Sequence, residues 1–486
     1  MTITRGLSLP TGRTLLDAGL LPEGTADALV VELGALLRRA GPAAALVAAS
    51  IPIARVDPIA VYRAFAGTDS PPSLWLQPSR TRAFVGAGEA LRLDLDGAGR
   101  FEAAAATWSA LAAQAVVGGS AFPVAKGPVL LGGATFAPGP SSEAVWSGFE
   151  LGRLVVPRLL VELAGDRAVL TGTVAHDEQH EAAVAEVRAL ARRLEQPILG
   201  ITPEGPRARM RVVERIPDRR GWSSSVARSA GAVGRGRIDK VVLARRVDLV
   251  ADVPLDVPTI LRRLEESAAG STILAFERPG GRTFIAATPE RLAETHGRTF
   301  HTIALAGTRA RGDDGGEDDR LATELLASEK DREEHQVVVA MLRETLRPLA
   351  TEVRIALRPH VVRLRTVQHL ATEVSGTLRD GTNLLALVEA LHPTPAVGGW
   401  PRELALDLLG EQEHLDRGWY AGPAGWLGLD GDGEFVVAIR SGVVAGTSAS
   451  LFAGCGIVGD SEPDREWEES ELKLRALGAA LGRIEG

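Results

Sequence analysis

Several residue types and patterns are scarce in this sequence of 486 residues, and each scarcity excludes a class of protein. The single cysteine, Cys455, excludes an internal disulfide and is typical of proteins from a reducing compartment. No apolar run approaches the roughly 20 residues of a membrane-spanning helix, and the N-terminus lacks the apolar core of a secretory signal. The net charge of −8 gives no electrostatic reason to bind nucleic acid or an anionic membrane. We therefore expect a soluble, cytoplasmic, globular protein.

Lysine is the scarcest charged residue. The 54 basic residues include only four lysines, which are Lys126, Lys240, Lys330 and Lys473. Arginine stays protonated at any working pH, whereas lysine can lose its proton and act as a base. A lysine in such an arginine-rich chain therefore indicates a position where arginine cannot serve.

The first half of the chain has few motifs. Alternating apolar residues predict strands over 128–136 and 153–162, and helical spacing predicts a helix over 180–196. Gly132 and Gly133 indicate a bulge or a close backbone approach within the first of these strands. Residues 201–237 are rich in Pro, Arg, Gly and Ser, which is typical of a connection between two halves.

The second half has clearer strand signals. Strands are predicted over 240–249 and 300–306. Two further strands, 271–276 and 282–287, flank the sequence Pro-Gly-Gly, which is the strongest hairpin signal in the chain. Runs of strands with helices before and after them favour an α+β fold with antiparallel sheets over a βαβ alternation.

Two helices predicted in the second half each carry a pair of acidic residues three positions apart. One is a long amphipathic helix over 317–349, with Asp331 and Glu334 on one face. The other should begin at Ser461 as N-cap, run to about residue 484 and carry its own acidic pair, Glu466 and Glu469. Two such pairs could converge on a hard divalent cation, which prefers oxygen ligands. Solvated helix faces explain the same spacing.

Other candidates also have two interpretations from their local pattern. Lys240 begins an apolar strand, so it is either a solvent-facing lysine or a desolvated amine that acts as a base. Glu290 follows the predicted hairpin, where it is either a loop residue or a general acid. The glycines of the stretches 305–308 and 453–456 either form ordinary turns or let backbone N–H groups approach a carboxylate.

Ten short segments resemble, in order and spacing, the chorismate-utilising enzymes, which are the isochorismate, salicylate, anthranilate and aminodeoxychorismate synthases. The segments are KVVLARR, AATPERL, ALAGTRARG, SEKDREEH, TVQHL, LHPTPAVGG, RGWYAGPAGW, AIRSG, AGCGIV and EWEESELK. Two upstream segments, VLLGGATFAPG and WSGFELGRLVVPRLLVEL, resemble the family more loosely. Nothing before about residue 125 carries the resemblance.

The resemblance implies the family's α+β fold, a single large chorismate-binding domain. Two related halves would stack antiparallel sheets, with helices outside and chorismate in a cleft near the second half. Residues 1–235 would form the N-terminal half, and residues 236–486 would form the catalytic half.

The same resemblance implies a magnesium site and a substrate pocket. Glu334 and Glu469 match the magnesium ligands, while Asp331 and Glu466 would hold the metal's waters. Asp331 stands where several relatives have glutamate, and it is one methylene shorter. Two residues, Arg440 and Lys473, match residues that grip substrate carboxylates, which arginine can do bidentately. The remaining matches line the substrate, and they are Gly307, Thr308, His369, Tyr420 and Gly454.

The nucleophile separates the members of the family. Isochorismate formation adds water at C2 of chorismate while the C4 hydroxyl departs, and water needs a base. Lys240 matches the lysine of isochorismate and salicylate synthases, and Glu290 matches the acid that protonates the leaving hydroxyl. Anthranilate and aminodeoxychorismate synthases use ammonia or their own amine, so no glutaminase subunit is expected here.

Isochorismate release is favoured over the alternative, a salicylate synthase, which goes on to eliminate pyruvate. Ala396 stands where relatives that perform the elimination tend to have threonine. The alternative from another class is a non-catalytic chorismate-binding subunit, which should have lost a base, an acid or a metal ligand; the sequence retains all of them. We expect a monomer or weak homodimer that serves menaquinone or siderophore biosynthesis.

Overall fold

The computed structural model describes residues 15–41, 43–78, 81–121, 127–176, 178–201, 207–312, 314–363 and 367–485. The side chains of residues 15–18, Thr308, Lys330, Glu334 and Val367 lie outside this description. The described α-helices are α1 (Thr25–Arg39), α2 (Pro58–Phe65), α3 (Arg100–Ala113), α4 (His180–Glu195), α5 (Arg219–Gly234), α6 (Val257–Ser267), α7 (Gly315–Ala327), α8 (Glu329–Leu346), α9 (Leu384–Leu391), α10 (Arg402–Gln412) and α11 (Pro463–Leu481). No helix in these ranges is both long enough and apolar enough to cross a membrane.

The strands are more numerous than the helices. In chain order they are β1 (Leu15–Gly19), β2 (Leu46–Ile53), β3 (Pro72–Leu76), β4 (Arg82–Ala87), β5 (Leu91–Leu95), β6 (Ala115–Gly118), β7 (Val129–Gly133), β8 (Gly152–Val156), β9 (Leu159–Ala164), β10 (Arg167–Ala175), β11 (Pro197–Leu199), β12 (Ala208–Ile216), β13 (Lys240–Ala251), β14 (Thr272–Arg278), β15 (Arg282–Thr288), β16 (Arg291–His296), β17 (Thr299–Ala310), β18 (Ala350–Ile355), β19 (His360–Arg363), β20 (Val367–Leu378), β21 (Gly399–Trp400), β22 (Pro423–Gly428), β23 (Gly433–Val437), β24 (Ser441–Ala445), β25 (Ser448–Ile457) and β26 (Gly482–Glu485).

Two large sheets organise the molecule. The first follows the order β26-β12-β13-β25-β24-β15-β14-β3-β4-β9-β10-β2-β6, with β21 beside β13. The second follows the order β18-β20-β17-β16-β23-β22-β7-β8-β5, with β19 beside β20. Neighbouring strands pair antiparallel except for β12 with β26 and β2 with β6. The predicted α+β class with antiparallel sheets is confirmed.

The two sheets face each other across an aromatic core. Phe84 of β4 and Trp426 of β22 belong to different sheets, yet their ring centroids lie only 4.6 Å apart. Trp419 packs edge-on against Phe276 of β14 and Phe284 of β15. All five rings are buried, so the space between the sheets is filled by large apolar side chains. The stacking of sheets predicted above is confirmed.

Most of the predicted elements are present. The helix predicted over 180–196 is α4, and the hairpin predicted after residue 271 is β14 and β15 in antiparallel register. Gly132 shows the close approach expected of it, because a Cβ there would lie 1.9 Å from the carbonyl oxygen of Arg153. The strands predicted over 240–249 and 300–306 are β13 and β17, both longer than expected.

The prediction of one long helix over 317–349 is wrong, because the segment forms two helices, α7 and α8. Ser328 separates them with extended backbone angles, φ −64° and ψ 117°. Its hydroxyl accepts a hydrogen bond from the backbone N–H of Asp331 at 3.2 Å. An N-cap residue needs a non-helical backbone, so the serine that starts α8 also ends α7.

The prediction of one strand over 153–162 is also wrong. Pro157 interrupts it, since proline cannot donate a ladder hydrogen bond. The part before Pro157 is β8, in the second sheet, and the part after it is β9, in the first sheet. This corner carries the chain from one sheet to the other.

One predicted connection and one predicted helix start differ from the structure. The segment 201–237, predicted as a connection, contains β12 and α5. The Asp218 carboxylate caps α5 by accepting a hydrogen bond from the N–H of Gly221 at 2.8 Å. Helix α11 has Glu462, not Ser461, as its N-cap and ends at Leu481. The hydroxyl of Ser461 instead donates to a carboxylate oxygen of Glu466 at 2.8 Å.

Candidate active site

A cavity of about 820 Å³ brings most of the predicted site residues together. Its lining includes residues from β13, β17, β20, β25, α8 and α11, and from the loops between other elements. The predicted site residues in the lining are Lys240, Glu290, Gly307, Asp331, His369, Ala396, Tyr420, Arg440, Gly454, Glu469 and Lys473. Glu466 is not in this lining, and the side chains of Thr308 and Glu334 lie outside the described residues. Segments spread over more than 230 residues of sequence therefore converge on one space.

Lys240 enters the cavity at the start of β13, where its backbone pairs with Trp400 of β21. The neighbouring strand, β25, has glycine at positions 454 and 456. A Cβ at position 456 would lie 2.6 Å from Cε and 3.3 Å from Nζ of Lys240. The half-buried lysine stem therefore occupies space that only a residue without a side chain leaves open.

Glu290 is fixed by its backbone and by a neighbouring loop. Its N–H donates to the hydroxyl of Thr288 at 3.2 Å, and its carbonyl accepts from Val437 at 3.0 Å. The Thr394 hydroxyl donates to Oε1 of Glu290 at 3.3 Å. Burial raises the pKa of the Glu290 carboxyl to about 6, although that hydrogen bond and nearby cations act in the other direction. This carboxyl can therefore carry a transferable proton near neutral pH.

Two cationic side chains, Arg440 and Lys473, line the same cavity as Glu290. Arg440 has a left-handed backbone with φ 50°, which is unusual for a residue with a side chain, and its carbonyl accepts from Ala287 at 3.2 Å. Burial lowers the pKa of the Arg440 guanidinium, whereas the charge of Glu290 raises it. Lys473 donates to the carbonyl of Gly454 at 2.9 Å and pairs with Glu469 at 2.6 Å. The cavity thus presents positive charge suited to a dicarboxylate.

Neutral polar groups complete the lining. Burial lowers the pKa of His369 to about 4, so its imidazole is uncharged at neutral pH. Burial raises the pKa of Tyr420 well above the ordinary value, so the phenol keeps its proton. Gly307 has φ 75°, and a Cβ there would lie 3.2 Å from Cβ of Asp331, which explains the need for glycine.

The acidic residues of α11 form a compact group. One carboxylate oxygen from each of Glu466 and Glu469 and the sulfur of Cys455 all lie within 4.8 Å of one another. Burial raises the pKa of Glu466, and the neighbouring charge of Glu469 adds to this effect. Burial also raises the pKa of the Cys455 thiol far above its usual value, and the thiol donates to the Glu466 carbonyl at 3.2 Å. The candidate ligands for a cation in this group are therefore the two carboxylates, which suit a hard ion such as Mg²⁺.

Asp331 lines the cavity from the first turn of α8. Its Oδ2 lies 3.7 Å from a guanidinium nitrogen of Arg309 on β17. Asp331 and Glu469 line the same cavity.

Two residues of the site, Thr394 and Gly456, were not predicted from the sequence. Thr394 lies inside the segment LHPTPAVGG, but nothing in that pattern indicates that its hydroxyl reaches Glu290. Gly456 could have been predicted from the sequence, because it follows Gly454 by two residues and so lies on the same face of β25.

Comparison with known proteins gives consistent results. A family model described as a chorismate binding enzyme matches residues 34–482. The salicylate biosynthesis isochorismate synthase of Pseudomonas aeruginosa is 40% identical over 444 residues, which cover 91% of each chain. The isochorismate synthase MenF of Bacillus subtilis is 38% identical over 360 residues, which cover 74% of this chain and 75% of the relative. The solved structure of MenF, the menaquinone-specific isochorismate synthase from Escherichia coli, has a TM-score of 0.76 at 26% identity and covers 93% of this chain and 100% of that one.

Proposed function

Because this chain belongs to the chorismate binding enzyme family, we propose that it is an isochorismate synthase. The reaction adds water at C2 of chorismate and releases the C4 hydroxyl as water. One water enters and one leaves, so the atoms balance and no reactant besides water is needed. The observation that carries this proposal is the cavity that holds Lys240 and Glu290 together with Arg440 and Lys473. It combines a candidate base, a candidate acid and two cations for a dicarboxylate substrate.

Lys240 is proposed to act as the base. In its neutral form the amine accepts a proton from the water that attacks C2, which a guanidinium in its place could not do. The glycine at position 456 leaves the space that the lysine stem occupies.

Glu290 is proposed to act as the general acid that protonates the departing C4 oxygen. A pKa of about 6 keeps part of the Glu290 population protonated near neutral pH, which an exposed glutamate would not achieve. Thr394 holds one carboxyl oxygen, so the group is oriented as well as protonated. After turnover, Lys240 is protonated and Glu290 is ionised, and exchange with solvent restores both.

Arg440 and Lys473 are proposed to bind the substrate's two carboxylates and so to orient its ring. Arg440 can make two parallel hydrogen bonds to one carboxylate. The backbone at Gly307 and Gly454, the neutral His369 and the phenol of Tyr420 add polar groups without adding charge.

A magnesium ion is proposed as the cofactor, held by Glu334 and Glu469 with Asp331 and Glu466 around it. The grouping of the Glu466 and Glu469 oxygens and the placement of Asp331 in the same cavity support this donor set. When bound, Mg²⁺ would neutralise substrate carboxylate charge.

The proposal needs no glutaminase subunit, because the nucleophile is water. We propose that the chain acts in the cytoplasm as a monomer or weak homodimer. Gel filtration with light scattering, run with and without chorismate, measures the oligomeric state.

The decisive experiment is turnover in isotopically labelled water. Purified protein is incubated with chorismate and Mg²⁺ in H₂¹⁸O, the products are separated, and their molecular masses are measured by mass spectrometry. We expect isochorismate that carries one ¹⁸O atom. Unlabelled isochorismate would contradict water attack at C2, and an aminated product with added ammonium would indicate a different member of the family.

A further inference from the structure

We infer that Arg245 is a positioning residue, which fixes the rotation of α11 against the strand that carries Lys240. This inference rests on the proposed function, because it assigns Arg245 to the alignment of the proposed base with the acidic face of α11. Arg245 itself does not line the cavity.

Arg245 lies on the far side of β13 from the reaction space. It follows Lys240 by five residues, and side chains alternate along a strand, so the two residues project from opposite faces. Its side chain is fully buried. Arg245 is paired with Ala453, next to the pair of Ala244 with Gly454, whose carbonyl accepts from Lys473.

The guanidinium contacts one turn of α11 in three ways. Its Nε donates to the hydroxyl of Ser470 at 2.6 Å, and an Nη donates to Glu471 at 2.6 Å. Its central carbon lies 3.9 Å from the ring centroid of Trp467, which is within the range of a cation–π contact. A flat, forked cation with three directional partners resists rotation of the helix more strongly than an apolar contact would.

The contacted face of α11 is distinct from its acidic face. At 3.6 residues per turn, Glu466, Glu469 and Lys473 lie within about 60° of one another around the helix axis. The three residues that contact Arg245 are centred about 120° away from them. A rotation that broke the Arg245 contacts would therefore swing the acidic face relative to Lys240.

Arginine at this position is costly for the fold. Its second Nη has no hydrogen-bond partner among the described residues, and burial lowers the pKa of the guanidinium. Replacing a buried ion pair with a well-packed apolar side chain is often neutral or stabilising. A residue kept only for stability would be better served by methionine or leucine, so the directional contacts point to placement of α11.

The test compares Arg245→Met with wild type. Methionine fills similar space, and the groups left behind keep partners: the Ser470 hydroxyl also donates to the Trp467 carbonyl at 2.7 Å, and Glu471 lies 3.8 Å from Arg215. We expect amide hydrogen exchange in residues 463–481 to accelerate at least 10-fold, while exchange elsewhere and the melting temperature change little. We also expect Mg²⁺ binding, measured by calorimetry without substrate, to weaken at least 10-fold.

The controls separate positioning from general damage. Arg215→Met removes the other cation beside Glu471 and should leave helix exchange and Mg²⁺ binding as in wild type. Arg245→Lys, which keeps the charge but loses the fork, should give intermediate values, and Ser470→Ala should reproduce part of the effect. If Arg245→Met does not fold, the last two variants decide the question.

The inference would be overturned if Arg245→Met showed the same amide hydrogen exchange and the same Mg²⁺ affinity as wild type. The same result in both Arg245→Lys and Ser470→Ala would also overturn it. If the wild-type protein itself neither binds Mg²⁺ nor converts chorismate, the proposed function fails instead. The hydrogen-exchange comparison then still decides whether Arg245 fixes the helix.

Discussion

Glu290 shows how one residue can be tuned by its surroundings. A glutamate with an ordinary pKa would be fully ionised at neutral pH and could not donate a proton. Burial raises the pKa of Glu290 to about 6, against the pull of Lys240, Lys473 and Arg440. The same burial makes the ionised carboxylate unfavourable in the folded state, so the function and the stability of the protein oppose each other at this position.

Glu290→Gln should therefore lose activity and gain stability. Turnover should fall by about 10²-fold or more, the range expected for a lost general acid, because glutamine keeps the shape but has no transferable proton. The folded-state pKa of Glu290 is raised, so its contribution to stability is fully present below about pH 4.5 and is lost as pH rises through about 6. The unfolding free energy of the variant minus that of wild type should therefore be about 1–2 kcal/mol higher above pH 7 than at pH 4.5.

Chemical denaturation of both proteins at pH 4.5, 6 and 8, without ligands, measures this difference. A difference in unfolding free energy that stays constant with pH would contradict the raised pKa of Glu290. Turnover close to wild type would mean that the proton donor is another residue.

Lys240→Arg tests the base, because it keeps the positive charge and removes only the ability to lose it. We expect turnover to fall by about 10²-fold or more, since a guanidinium stays protonated throughout the working pH range. Circular dichroism and chorismate binding should show that the variant folds and binds. Lys126→Arg is the matched control and should remain active, because Lys126 lies outside the motifs and outside the described residues. An active Lys240→Arg would remove the argument for water as the nucleophile.

At the scale of elements, β25 contributes to the site chiefly by what it lacks. Its glycines at 454 and 456 let the neighbouring side chains approach the strand closely, and the stem of Lys240 lies directly over position 456. The space for the base is thus made by one strand while the base itself is supplied by the next.

Gly456→Ala should displace Lys240 without unfolding the protein. The new Cβ would lie 2.6 Å from Cε of a flexible side chain, which can move at little cost to stability. A displacement of about 1 Å in a reacting group can cost about 10²-fold in rate, so we expect turnover to fall by about 10- to 100-fold. Gly459→Ala is the control, because a Cβ there meets nothing closer than 3.5 Å. Kinetics and melting temperatures measured together check the prediction, and an unimpaired Gly456→Ala would refute it.

Helix α11 contributes Glu469 to the proposed metal site. EDTA should abolish turnover reversibly, and Glu469→Gln should weaken Mg²⁺ binding at least about 10-fold, since even outer-sphere partners of a metal cost that much when lost. Calorimetry with Mg²⁺ alone measures the affinity. Glu468→Gln, at the adjacent exposed position, should bind Mg²⁺ normally. Full activity of Glu469→Gln in metal-free buffer would exclude the proposed role.

The errors in predicting elements from the sequence have local physical causes. No proline or glycine lies near Ser328, so the sequence over 317–349 indicates one helix, whereas the serine side chain caps a second helix there. The strand predicted over 153–162 includes Pro157, where the chain instead passes into the other sheet. Periodicity detects which face of an element is buried, but it does not detect the side chain that caps a helix or the proline at which a strand leaves its sheet.

At the scale of the molecule, the site depends on strand pairings between distant segments. Strand β13 pairs with β25, and β17 pairs with β20, which brings Lys240 beside Gly456 and Gly307 near His369. Spacing alone left both acidic pairs open to interpretation as solvated faces. The order of the ten family segments predicted that they share one site, whereas contacts such as Thr394 to Glu290 and Arg245 to Ser470 depend on packing that no local pattern encodes.

A loop segment outside the two sheets contributes the residues that bear on the final product. The loop between α9 and α10 places Thr394 against Glu290 and Ala396 in the lining of the cavity. Ala396 has a methyl group and no hydroxyl, so its side chain offers no polar group to a molecule bound in the cavity. A salicylate synthase would need to act on that part after isochorismate forms.

We therefore expect isochorismate to accumulate with little pyruvate or salicylate at neutral pH. A coupled assay with lactate dehydrogenase detects pyruvate, and it should stay nearly silent with chorismate and Mg²⁺ alone. Addition of a separate isochorismate lyase should then release pyruvate at once, which shows that isochorismate was present and that the assay works. Ala396→Thr is the matched variant, because it adds a hydroxyl where relatives that perform the elimination tend to have threonine. A strong pyruvate signal from the unmodified chain, matched by salicylate fluorescence, would instead identify a salicylate synthase.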